Sequence, residues 1–159
     1  MIVGASSGIG EALARRLADE GWSLGLAARR VERLAAIVAD LAAAHPRQRF
    51  CLRAIDLVDQ VAAIAAFEAL VADLGGADLV VVSSGVGHEN VALDWPPEAE
   101  TVQVNVAGFT VIAVTAMRHF EGRGRGHLVG LSSLAALHGH GDAPAYGASK
   151  AYEIGRAHV

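Results

Sequence analysis

The sequence predicts an α/β fold with one doubly wound parallel sheet. Three observations carry the prediction. Short apolar runs alternate with amphipathic helical stretches along the chain, the pattern of strands buried on both faces beneath crossover helices. The chain opens with a short strand, Met1-Ile2-Val3, a glycine-rich turn, Gly4-Ala5-Ser6-Ser7-Gly8-Ile9-Gly10, and then a helix. The composition is 53% hydrophobic but only 5% aromatic, which suits alanine-rich helices packed closely on a sheet. A length of 159 residues is enough to bury one core, and right-handed crossovers then wind the chain in both directions.

The elements follow in order. After the opening strand, Leu13, Ala14, Leu17 and Ala18 mark the apolar side of a helix whose other side carries Arg15, Arg16, Asp19 and Glu20. Trp22 to Ala28 reads as a strand, and Val31 to Ala44 as a helix ended by His45-Pro46. Phe50 to Ile55 is a strand, and Val58 to Leu74 a helix stopped by Gly75-Gly76. Asp78 to Ser83 is an apolar strand. A long helix, Glu98 to Phe120, is entered through Trp95-Pro96-Pro97, where proline suits the first turn. Gly126 to Ser132 forms a further strand, and another helix begins near Pro144. No linker, internal repeat or low-complexity segment interrupts the series.

Composition narrows the function. A formal net charge of -4 gives no broad basic surface for nucleic acid. The single cysteine, Cys51, excludes an intramolecular disulfide, fits a reducing compartment and a cytoplasmic location, and is expected to be a small buried apolar residue. No secretory signal is visible in this sequence, so none is expected. The nearest approach to a membrane span, residues 104–117, is interrupted by Asn105, Gly108, Thr110 and Thr115 and reads as a buried helix, so no membrane partner is expected.

Two motifs carry chemistry. Gly4, Gly8 and Gly10, with Ser6, Ser7 and Ile9, form a G-x-x-x-G-x-G turn entering a helix. Backbone N–H groups and the helix dipole at such a place favour a phosphate. The spacing differs from the common G-x-G-x-x-G fingerprint and from a P-loop. At the other end stands the chain's one lysine, Lys150, four residues after Tyr146 in Tyr-Gly-Ala-Ser-Lys. On a helix the two project from one face. An ammonium there favours the phenolate and lowers a phenol pKa that is ordinarily ~10. Arginine, used freely elsewhere, cannot give up its proton in this way.

These segments together resemble the short-chain dehydrogenase/reductase family, over residues 1–152. Gly4 to Gly10 matches the family's cofactor turn. Val102-Gln103-Val104-Asn105-Val106 matches the helix carrying its active-site asparagine. Leu131-Ser132-Ser133 matches the strand end with its serine, and Tyr146 to Lys150 its Y-x-x-x-K core. The resemblance implies a Rossmann-like fold and a catalytic set of Asn105, Ser133, Tyr146 and Lys150. Ser133 is chosen over Ser132 because the family places this serine thirteen residues before the tyrosine. It implies an NAD(P)-dependent interconversion of a carbonyl and an alcohol. Tyr146 exchanges the proton, Lys150 shifts its pKa and holds the nicotinamide ribose, Ser133 holds the substrate oxygen, and Asn105 holds a water linking Lys150 to solvent. It further implies a small-molecule partner and a homo-oligomer for the complete protein.

Cofactor choice is read at the second strand end, Ala28-Arg29-Arg30, which lacks the acid that would bind the ribose hydroxyls of NAD. Arg29 is placed for a 2'-phosphate with Arg30 assisting, so NADP is expected over NAD. Asp56-Leu57 resembles the pair contacting adenine, though Asp56 could equally cap the next helix. Val3 stands where the family has threonine or serine. Ser83-Ser84-Gly85-Val86 stands for its Asn-Asn-Ala-Gly. Gly85 still lets the backbone approach the cofactor, but the asparagine that ties the loops is missing. His138-Gly139-His140-Gly141-Asp142 is expected to be a mobile active-site loop and not a metal site. His88 and Glu89 are expected near the same pocket. The alternatives are a catalytically silent nucleotide-binding relative and a fragment that does nothing.

Residues 153–159, Glu153 to Val159, read as the translated start of a widely used sequencing-library adapter. They are expected to be a foreign tail on an incomplete domain, 1–152, truncated after the start of the catalytic helix. The very short first strand raises the same question of Met1.

Overall fold

In the computed structural model, which describes residues 1–139 and 141–156, five parallel strands form one sheet. They are β1 (Ile2–Val3), β2 (Leu24–Ala28), β3 (Phe50–Ala54), β4 (Leu79–Val82) and β5 (His127–Gly130), in spatial order β3-β2-β1-β4-β5. The chain runs outward from β1 through β2 to β3, then returns to the other side for β4 and β5. The reversal opens a crevice at the carboxyl ends of β1 and β4, where doubly wound sheets bind ligands.

Period-two alternation sends neighbouring residues to opposite faces. Ile2, Leu24, Leu26 and Val81 pack beneath α1 (Gly8–Asp19) and α2 (Val31–Ala44), with Ala14, Leu34 and Leu41. Val3, Ala27, Val80 and Val82 face α3 (Gln60–Leu74) and α5 (Phe109–Arg123), with Phe67, Leu70, Ile112 and Phe120. Each fully buried side chain of this size contributes about 1.5–3 kcal/mol. The helix from Trp95 to Arg123 is long and apolar enough to cross a membrane by length and composition, yet 44% of its most apolar window is buried. Its residues Phe109, Ile112, Ala116 and Phe120 are core.

Boundaries move where local hydrogen bonds compete. Gly21, at φ +95, ends α1 with Trp22 N donating to Leu17 O, so β2 begins at Leu24 and not Trp22. Asp56 Oδ1 accepts from Val58 N, and the side chain of Asp59 accepts from Ala62 N. Asp59, not Asp56, therefore caps α3, which starts at Gln60. The sequence-predicted helix Glu98–Phe120 is longer and not uniform: α4 (Trp95–Thr101), a π-helical stretch Val102–Gly108, then α5. Cys51 is half-buried on the edge strand β3. The last helix, α6, spans Pro144–Arg156.

Candidate active site

The glycine turn, the loop after β4 and α6 meet around one cleft of roughly 980 Å³. Gly4 lies at φ +94, and a Cβ there would come 2.7 Å from Ser84 Cα. A Cβ on Gly10 would be 3.0 Å from the Gly4 carbonyl carbon and closer still to its oxygen. Both glycines are therefore required by close backbone passage. Gly8, at φ +57 with open space around it, is required by conformation alone. The turn thus presents bare backbone at the N-terminus of α1, an anion site. Ser84 Oγ lines the cleft and is buried without a hydrogen-bond partner. An open cradle, an orphaned hydroxyl and three lining cations, Arg29, Arg30 and Lys150, fit a dinucleotide.

Ser6, Ser7, Gly8, Ile9, Arg29, Arg30, Asp56, Leu57, Gly85, Tyr146 and Lys150 all line the cleft. So do His88 and Glu89. Arg30 donates to Ser7 Oγ at 2.6 Å and to Ser6 Oγ at 3.1 Å, so neutral hydroxyls aim its guanidinium at the turn. Arg29 reaches toward Glu100, Nη1 to Oε1 3.9 Å.

Tyr146 and Lys150 share a face of α6, with Lys150 Nζ 6.0 Å from the phenol ring centroid. Gly87 lies against that ring: a Cβ on it would be 2.7 Å from Tyr146 Cδ2. Lys150 is buried and donates to Leu131 O at 3.0 Å and Glu153 Oε1 at 2.8 Å. The other Glu153 oxygen is buried without a partner. Burial pushes the Glu153 carboxyl up from the ordinary carboxylate range, against the opposing pull of the Lys150 ammonium.

Ser132, and not Ser133, lines the cleft; its hydroxyl donates to Lys150 O at 2.7 Å. Ser133 Oγ accepts from Ala135 N at 3.2 Å, capping the 3-10 turn Leu134–Ala136. Asn105 sits in the π-helical stretch, fully buried. Its Oδ1 accepts from Val86 N at 2.9 Å; its Nδ2 donates to Val86 O at 2.7 Å and Ser149 Oγ at 3.0 Å. It thereby ties the loop after β4 to α6, a tie the Ser83-Ser84 pair leaves to another residue. A Cβ on Gly85 would lie 3.2 Å from Lys150 Nζ and 3.4 Å from Asn105 Oδ1, so all three groups converge.

Sequence reasoning missed the staple at the start of α6. Glu98 Oε2 accepts from Ala145 N at 3.0 Å, and Glu98 Oε1 accepts from Asn90 Nδ2 at 2.7 Å. Asn90 N in turn donates to Asp142 O. A carboxylate at a helix N-terminus is favourable, but no motif spacing signals a cap supplied from 47 residues away. Asp142 lines the cleft, and His140 of the expected loop lies outside the described residues. Among the described residues no three His, Cys, Asp or Glu side chains gather to hold a metal.

The short chain dehydrogenase family model matches residues 1–157. The chain belongs to the short-chain dehydrogenase family. An uncharacterized oxidoreductase of Mycobacterium tuberculosis is 36% identical over 156 residues, 95% of this chain and 61% of the relative. The chain thus spans about three-fifths of the length of such relatives. An alcohol dehydrogenase from Thermococcus sibiricus complexed with 5-hydroxy-NADP superposes with a TM-score of 0.87 at 27% identity, covering 98% of this chain and 68% of the other. An NAD+-bound xylitol dehydrogenase superposes at 0.89 and 26% identity, covering 98% and 60%. The Rossmann-like parallel sheet is common to this chain and both solved structures.

Proposed function

We propose that the chain is the cofactor-binding and catalytic portion of an NADP-dependent oxidoreductase that interconverts a carbonyl and an alcohol. The observation that carries this reading is the convergence of the glycine turn, Tyr146 and Lys150 on one cleft. When bound, the nicotinamide dinucleotide supplies or accepts hydride. The turn at Gly4–Gly10 holds its phosphates by backbone N–H groups. Tyr146 donates its phenolic proton to the carbonyl oxygen in reduction and recovers it from the alcohol in oxidation. Lys150 stabilises the phenolate through its charge and holds the nicotinamide ribose. Ser133 is assigned to hold the substrate oxygen on the family resemblance; it does not itself line the cleft, but its hydroxyl only accepts, from Ala135 N, and keeps its hydrogen to donate. Asn105 has both amide hydrogens committed, leaving the second lone pair of Oδ1 to accept from a water beside Lys150.

The NADP preference is supported by Arg29 and Arg30 at the end of β2 and by the absence of an acid there; charge-assisted contacts to phosphate are the stronger kind. The matching folds bind both forms of cofactor, so the arginines alone carry this part of the reading. The reading of residues 153–159 as foreign rests on the sequence alone; the family model runs to residue 157, and Glu153 pairs with Lys150. Sequencing the locus beyond the Tyr152 codon checks it.

The test uses the chain extended to the length of its relatives. Tyr146→Phe is expected to lower carbonyl reduction by roughly 100- to 10,000-fold while NADPH binding persists, because the ring still packs on Gly87. Arg29→Asp is expected to weaken NADPH and spare NADH. Turnover retained in Tyr146→Phe removes the mechanism, and equal affinities of the wild type for both cofactors remove the NADP reading.

A further inference from the structure

Three cations line the cleft, and each is already held. Arg30 is held by the neutral hydroxyls of Ser6 and Ser7. Lys150 is held by Glu153 at 2.8 Å. Arg29 is drawn to Glu100, whose other oxygen is paired with His88 Nε2 at 2.9 Å. Arg29 leaves the end of β2, while Glu100 lies on α4 and His88 on the loop after β4. The three side chains therefore span the two rims of the cleft. At 3.9 Å the Arg29–Glu100 contact exceeds hydrogen-bond length and acts through charge alone. Both side chains are about half exposed, 55% and 41%, so the pair is weak and breakable.

We propose that Glu100 is a cofactor-specificity residue, which competes with the 2'-phosphate of the dinucleotide for Arg29. This rests on the NADP reading above and deepens it. Among the described residues Arg30 is held only by the neutral hydroxyls of Ser6 and Ser7, so it meets a phosphate without competition from a carboxylate. Arg29 must first leave Glu100, and the phosphate must settle near that carboxylate. The 2'-hydroxyl of NADH carries no charge to draw Arg29 away, so its binding leaves the bridge in place. Glu100 thus weakens the phosphorylated cofactor selectively. The shared contact with His88 holds the half-exposed carboxylate beside Arg29. A sequence reading cannot find this residue, because nothing local distinguishes Glu100 from Glu98.

The experiment measures NADPH and NADH dissociation constants by fluorescence titration at low ionic strength, for the wild type, Glu100→Gln, Arg29→Ala and the double variant. Glu100→Gln is expected to tighten NADPH by about two- to five-fold, the range of an exposed ion pair, with NADH unchanged. In the Arg29→Ala background the gain is expected to disappear, because Glu100 acts through Arg29. An equal gain for both cofactors, no gain for NADPH, or a gain that survives in the double variant overturns the proposal. If Arg29→Ala alone leaves NADPH affinity unchanged, the phosphate role of Arg29 itself falls. Binding of neither dinucleotide by the wild type overturns both readings.

Discussion

Asn105→Ala tests whether the cleft depends on one buried amide. Asn105 is 0% exposed and makes three hydrogen bonds at 2.7–3.0 Å, two to Val86 and one to Ser149. Removing the side chain deletes all three and leaves the Val86 N–H and carbonyl to find other partners. At about 0.5–1.5 kcal/mol for each net bond, the loss is about 1.5–4.5 kcal/mol, with about 3 kcal/mol as the central value. For a chain of this size that corresponds to roughly 6–12 °C in Tm. Asn105→Asp keeps the shape but turns two donors into an acceptor facing Val86 O. Ser149 Oγ already donates to Tyr146 O at 2.8 Å, so it has no hydrogen to spare. Asp at this position is expected to be at least as destabilising as Ala at neutral pH, and to recover as acid protonates it. Urea unfolding followed by circular dichroism measures both. A loss under about 1 kcal/mol for Ala, with Asp no worse, would refute the claim that this amide joins the loop to α6.

Two further outcomes follow from the turn and the amino terminus. Gly4→Ala is expected to cost more than about 3 kcal/mol, because a φ of +94 adds strain of about 1–3 kcal/mol to a backbone collision with Ser84. Gly8→Ala, with open space at φ +57, is expected to cost only about 1–2 kcal/mol. Denaturant midpoints of the two variants give the contrast, and equal losses would show that the collision relaxes. The Met1 amine donates to Leu79 O and is lowered from 8.0 to about 6, chiefly by burial. Between those values the unfolded chain holds the proton and the folded chain does not. Stability is therefore expected to rise by about 2 kcal/mol from pH 6 to pH 8 and to be lost again as the pH falls. Acetylating this amine should flatten that dependence in the same unfolding assay.

Much of this protein was written in short-range pattern. Apolar periodicity and the glycine and proline stops located every strand and most helix ends, because those signals act between residues a few positions apart. The pattern predicts the Val31–Ala44 helix to the residue, and Gly75-Gly76 ends α3 as expected, since the αL cap at Gly75 is a local requirement. The glycine turn and the Tyr146–Lys150 spacing identified both halves of the cleft for the same reason: each is a local device on one turn or one helix face.

The tertiary structure decided what those devices touch. Whether Ser132 or Ser133 reaches the cleft depends on how the strand end twists into the 3-10 turn. The partners of Asn105 lie 19 and 44 residues away, and the cap on α6 comes from 47 residues away. Glu153 reaches Lys150 only because α6 is pressed against the sheet, and Glu100 approaches Arg29 only across the cleft. Such pairings depend on the rigid-body placement of whole elements, which the side chains of one segment cannot encode. The sequence by itself determined which segments become strands and helices and where an anion and a proton donor can stand. Packing around the switch between β1 and β4 determined which charges compete at the cleft, because only folding brings those segments, distant in the chain, to one place.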